Sequence, residues 1–111
     1  MAPEIGKFLE DILDAISGIE HHLGDKRKFQ EYLANRTQKK AVERELEVIG
    51  EATSRILKLD PSISISHARS IVDMRNRVIH EYGSVDHTVV WKIIQVDLPI
   101  LKSEITQLLQ V

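Results

Sequence analysis

The segment DMRNRVIHEYGS, Asp73 to Ser84, decides how this chain is to be read. Wound as an α-helix at about 100° per residue, it gathers Val78, Ile79 and Tyr82 with the preceding Ile71 and Val72 on one face, and sets Arg75 in the middle of that face. An apolar stripe of that period predicts a helix packed against other helices. The arginine does not fit the stripe. A guanidinium keeps its proton in a protein, so a desolvated one must be paired or must face a polar cleft. Glu45, itself on an apolar stripe, and Glu51, in VIGEAT, are the two candidate charge partners of Arg75. A structural ion pair, with the arginine stem lying along apolar surface, is the plain reading.

Working outward, apolar residues recur at three- and four-residue spacing through nearly the whole chain, and no stretch alternates as a half-buried strand would. The expected fold is all-α. Helix one is predicted to start at Pro3, to bury Ile5, Phe8, Leu9, Ile12, Ile16, Ile19 and Leu23, and to stop at Gly24. A short helix over Lys26 to Leu33 offers only Phe29, Tyr32 and Leu33. A third, Gln38 to Leu59, carries Val42, Leu46, Ile49, Thr53 and Ile56 on the stripe that includes Glu45, and ends at the Asp60-Pro61 breaker. Ser66 then caps a fourth helix running to Tyr82 and stopped by Gly83. Asp86 caps a fifth, Val85 and Val90 occupy hydrophobic-staple positions, and Trp91, Ile94, Leu98, Leu101, Ile105 and Leu108 continue the pattern. Pro99 inside that helix is expected to bend it.

Short loops between long amphipathic helices make antiparallel neighbours. The architecture expected is therefore one domain, residues 1–111, folded as an antiparallel up-and-down bundle of four main helices plus one short helix. A continuous apolar face on nearly every helix of so small a domain favours a two-fold homodimer.

Composition sets the outer bounds. With 42% hydrophobic and 29% charged residues in 111, the chain has the balance of a soluble globular protein, and no apolar run approaches the roughly 18 residues of a membrane span. There is no cysteine, and MAPEIGKF lacks the order of a secretory signal, so a cytoplasmic location is expected. A net charge of −2 excludes wholesale attraction to nucleic acid and leaves only local patches. The densest, Lys26, Arg27, Lys28, Arg36, Lys39 and Lys40, reads as a solvated helix face. His21 and His22 point about 100° apart on a helix, and neither His67 nor His87 has a carboxylate at three- or four-residue spacing, so no metal site is expected. Without a phosphate-binding loop or a recognisable nucleophile motif, no cofactor is expected either.

The chemistry that remains surrounds Arg75. Asn76 and His80, four residues apart, are neighbours on the flank of the helix. Imidazole takes or gives a proton near neutral pH, and a guanidinium is a permanent fork of donors for phosphate oxygens. Together they are the minimum kit for cleaving a phosphodiester without a metal. The five residues from Arg75 to His80 turn through about 140° of helix, so one helix does not aim both at a single phosphate. Two copies opposed across a dimer axis would.

These residues carry a resemblance. Arg75, a polar residue directly after it, His80 four residues further and Tyr82 beyond one more resemble the signature of the HEPN superfamily. The segments LEVIGEA (Leu46 to Ala52), MRNRVIHEYG (Met74 to Gly83), VDHTVVW (Val85 to Trp91) and DLP (Asp97 to Pro99) are similar to the HepT-like toxin family within it. The resemblance implies an all-helical homodimer that cleaves RNA as a metal-independent endonuclease, with Arg75 and His80 catalytic and Asn76 orienting. It also implies a toxin–antitoxin pair, whose antitoxin is an MNT-type nucleotidyltransferase that attaches AMP to the motif tyrosine, Tyr82. Two other classes fit the residues less fully: a non-catalytic subunit presenting nucleotides or substrates to a nucleotidyltransferase, and a plain helical dimerisation unit.

Overall fold

A computed structural model describes residues 2–25, 28–65, 70, 72–73 and 86–110. Among them the regular structure is helical throughout: α1 spans Pro3–Leu23, α2 Phe29–Ala34, α3 Arg36–Leu59 and α4 His87–Lys92, and a π turn, Ile93–Asp97, leads into α5, Leu98–Leu109. Ser70, Val72 and Asp73 are also helical. The rest of the helix expected from Ser66 to Tyr82, and the staple residue Val85, lie outside the described residues. No helix among the described residues is long and apolar enough to cross a membrane.

Local chemistry fixes the ends. Pro3 opens α1, where its missing N–H costs nothing, and Gly24 closes it at φ 69°, a left-handed conformation that a Cβ would disfavour. Asn35 caps α3, its Oδ1 accepting from the Gln38 backbone N–H at 2.9 Å. The helix therefore starts at Arg36, two residues ahead of the expected Gln38, because Asn35 supplies an acceptor that an apolar pattern does not reveal. At the other end Asp60 Oδ1 accepts from the Ser62 N–H and hydroxyl, at 3.1 and 2.7 Å, and turns the chain at Pro61. Asp86 caps α4 as expected, accepting from Thr88 and Val89.

The expected stripes form the core. In α1, Ile5, Leu9, Ile12, Ile16, Ile19 and Leu23 are buried, and in α3 so are Val42, Leu46, Ile49, Thr53 and Ile56. The two helices run antiparallel along most of their length. Gln38 Nε2 donates to the His22 carbonyl at one end, the Glu45 carboxylate meets Gly18 midway, and the Arg55 guanidinium lies 5.9 Å from the Phe8 ring centre towards the other end. On α1's other flank the last helix closes the core with Val90, Ile94, Leu98, Leu101 and Ile105, and Lys102 meets Glu20 at 2.9 Å across that contact. The smallest extent, 19 Å, is two helix diameters.

Pro99 does not end the last helix, as expected, but the irregularity takes the form of a π turn. The Leu98 N–H reaches back five residues to the Ile93 carbonyl. Widening the ladder there relieves the clash between the proline ring and the carbonyl four residues earlier. It also broadens the buried arc, so that Ile93 enters the core beside Ile94.

Thr53 is the exception within the core. It is fully buried, and its hydroxyl has no hydrogen-bond partner. An orphaned buried hydroxyl costs about 1 to 3 kcal/mol. Thr53→Val, which keeps the shape and removes the polar atom, should raise stability by about 1 kcal/mol or more, measured as a higher urea midpoint at unchanged slope.

Candidate functional site

The sequence places the chemistry on residues 75–82, and Arg75, Asn76, His80 and Tyr82 all lie outside the described residues. What the structure defines is the ground on which that segment borders. Val72 and Asp73, the last described residues before it, line a hollow of about 340 Å³ with Ser54, Leu57 and Lys58 of α3. That volume is in the range that accepts a nucleotide-sized group. Among the described residues the lining holds a cation, a carboxylate and a hydroxyl. These residues can hold an anion or a ribose hydroxyl. Ser54 and Lys58 were not singled out from sequence; on the flank of an otherwise ordinary amphipathic helix, nothing but tertiary contact distinguishes them from solvated polar residues.

The two candidate partners of Arg75 differ in availability. Glu51 is exposed and bound at 3.0 Å to Arg55, one turn along α3. A pair so open to water contributes little to stability, but it occupies the carboxylate. Glu45 is half-buried, and its carboxylate fits against the backbone of Gly18, in the space where any other residue would carry its Cβ. Among the described residues it makes no hydrogen bond or ion pair. Of the two, Glu45 is the carboxylate left open to a further cation.

A second polar cluster lies where α1, α2, α3 and α4 converge. The Tyr32 and Trp91 rings are 5.2 Å apart, Phe29 is 5.6 Å from Trp91, and His87 meets Tyr32 edge-on at 5.9 Å. Tyr32 is 1% exposed, and both its hydroxyl and His87 Nδ1 are buried with no hydrogen-bond partner. Burial, with a smaller contribution from the Glu43 charge, pushes the Tyr32 phenol up to about 12. The phenol stays neutral in the folded state while the unfolded chain begins to ionise near pH 10. Stability attributable to this group is therefore complete below pH 10 and is lost as pH rises towards 12, by roughly 2 to 3 kcal/mol. Tyr32→Phe should remove that alkaline loss, read as the difference between wild-type and variant urea midpoints at pH 9 and pH 11.5. At neutral pH the variant should be no less stable, since the hydroxyl has no partner to lose.

Helices packed in two layers around one apolar seam make an all-α, HEPN-like fold. The description "Ribonuclease HepT-like" belongs to the family model that matches residues 12–108. The chain belongs to this family. It is 37% identical over 105 residues to "Probable ribonuclease HepT" of Thermococcus cleftensis, covering 91% of this chain and 92% of that one. It is 34% identical over 109 residues to "Putative RNase MJ0125" of Methanocaldococcus jannaschii, covering 96% of this chain and 92% of that one. No solved structure gives a significant match.

Proposed function

We propose that this protein is a metal-independent RNA endonuclease that acts in the cytoplasm as the toxin of a toxin–antitoxin pair. One observation carries the reading: the chain belongs to the HepT-like ribonuclease family over residues 12–108, and Arg75, Asn76 and His80 stand within that match in the motif order RNxxxH. Two copies in a homodimer supply two imidazoles. One His80 takes the proton of a ribose 2′-hydroxyl, the freed oxygen attacks the adjacent phosphorus, and the bond to the 5′ oxygen breaks. The second His80 returns a proton to that leaving oxygen. Arg75 holds the charge that grows on the non-bridging oxygens, and Asn76 orients the phosphate. Glu45, which makes no hydrogen bond or ion pair among the described residues, is the candidate carboxylate to steady the arginine in this reading, ahead of Glu51, which is bound to Arg55.

The partner in this reading is an MNT-type nucleotidyltransferase antitoxin. The Tyr82 phenol oxygen attacks the α-phosphorus of ATP, pyrophosphate leaves, and AMP stays on the tyrosine. A bulky anion two residues past His80 would fill the groove and compete for Arg75. Purified protein incubated with total RNA in excess EDTA tests the core of the proposal. It should generate fragments with 5′-hydroxyl ends, and Arg75→Ala should not. Cleavage abolished by EDTA would overturn the metal-independent mechanism. Inert wild-type protein that nevertheless binds a nucleotidyltransferase would favour the non-catalytic subunit.

A further inference from the structure

We propose that the corner between α2, the start of α3 and α4 is a nucleobase-binding subsite. The hollow there measures about 100 Å³ and is lined by Leu23, Lys28, Glu31, Tyr32, Asn35, Gln38 and Trp91. It is far below the roughly 300 Å³ at which pockets enclose drug-sized ligands. It admits one planar ring and leaves sugar and phosphate outside.

The lining suits such a ring. Half-buried Trp91 offers a stacking surface, with the Tyr32 and Phe29 rings packed tilted against it. Asn35 spends its Oδ1 on the Gln38 backbone N–H, which leaves its amide N–H₂ to donate. Gln38 spends its Nε2 on the His22 carbonyl at 2.9 Å, which leaves its Oε1 to accept. Both amides are thereby oriented by the fold, one as donor and one as acceptor, the pair of functions that an adenine edge requires. Glu31 adds a carboxylate that accepts from an exocyclic amine and repels a phosphate, so the base rather than the anion belongs inside. Lys28 lines the same hollow without an ion pair among the described residues and can meet the phosphate at the rim. Tyr32, one of the lining residues, also brings a buried hydroxyl with no hydrogen-bond partner.

The biological role of the subsite rests on the ribonuclease reading, while its chemistry does not. Trp91 begins only nine residues after Tyr82 in sequence, and the base can come from an unpaired RNA residue or from a mononucleotide, free or attached to that tyrosine. Trp91 is the chain's single tryptophan, so its fluorescence reports directly on stacking. His80→Ala protein, used so that RNA stays intact, is titrated with AMP, UMP, oligoadenylate and ribose 5-phosphate. Saturable quenching is expected with AMP and oligoadenylate, about tenfold weaker with UMP, which lacks an exocyclic amine, and absent with ribose 5-phosphate. Glu31→Ala, an exposed position, should erase the preference for AMP over UMP, and Gln38→Leu should weaken AMP about tenfold. Oligoadenylate binding at least tenfold tighter than AMP identifies RNA as the source of the base; equal binding identifies the mononucleotide. Equal quenching by ribose 5-phosphate, or AMP affinity untouched by both substitutions, overturns the subsite. If base-dependent quenching persists while wild-type protein cleaves no RNA, the nuclease reading fails and the subsite stands.

Discussion

His80→Ala protein should lose RNA cleavage by about 10² to 10⁴ in rate while keeping the wild-type helical content and melting temperature. That range is what general acid–base catalysis contributes when a positioned group is removed. In the proposed dimer the loss falls at the upper end, because one substitution removes both the base that activates the 2′-hydroxyl and the acid that protonates the leaving oxygen. The same logic gives a sharper measurement. Mixed dimers carrying one His80→Ala subunit should lack one of the two proton transfers, so activity should fall well below half of the wild-type value rather than scale with the number of intact subunits. The assay is the rate of new 5′-hydroxyl ends from total RNA. Unchanged cleavage by the homogeneous variant would remove His80 from the chemistry.

The largest effect on stability is expected at Ile49. It is 0% exposed, midway along the face that α3 turns to α1. Truncation to alanine removes three carbon atoms from a site whose walls are two long antiparallel helices, which cannot collapse independently of one another. Losses of about 2 to 5 kcal/mol are typical of such cavities. In a domain of this size that lowers the melting temperature by about 10 °C or more. Thermal unfolding followed by circular dichroism reads it directly, and the contrast with Thr53→Val on the next turn of the same stripe separates loss of packed hydrocarbon from relief of an orphaned hydroxyl.

The helices were legible wherever their causes are local. Gly24 at the end of α1, Asp86 at the start of α4 and the five-residue stripe of α3 all follow from capping chemistry and a 3.6-residue period, and each stands where the sequence places it. What escaped depends on neighbours distant in sequence. Nothing near Gly18 announces that a glutamate 27 positions later fills the space its missing Cβ leaves. Ile93 falls off the period of an ideal α-helix and is buried only because the ladder widens ahead of Pro99. Glu51, an open carboxylate in sequence, is held by its own helical neighbour Arg55. In the candidate site, Lys58 and Ser54 could not be told from surface residues, and Tyr32 read as filler until its unpartnered hydroxyl and its tilted ring contact with Trp91 were visible. The catalytic assignments themselves rest on motif order, since residues 74–85 are outside those described.

The carboxylate seated at Gly18 works as a key in a keyway. Sliding α3 along α1 by one helical turn, about 5.4 Å, would carry Glu45 off Gly18 and onto Asp14 or His22, both of which carry side chains. The first brings two carboxylates together, and the second sets the carboxylate where an imidazole already stands. The contact therefore favours this register of α3 on α1 over the registers one turn to either side.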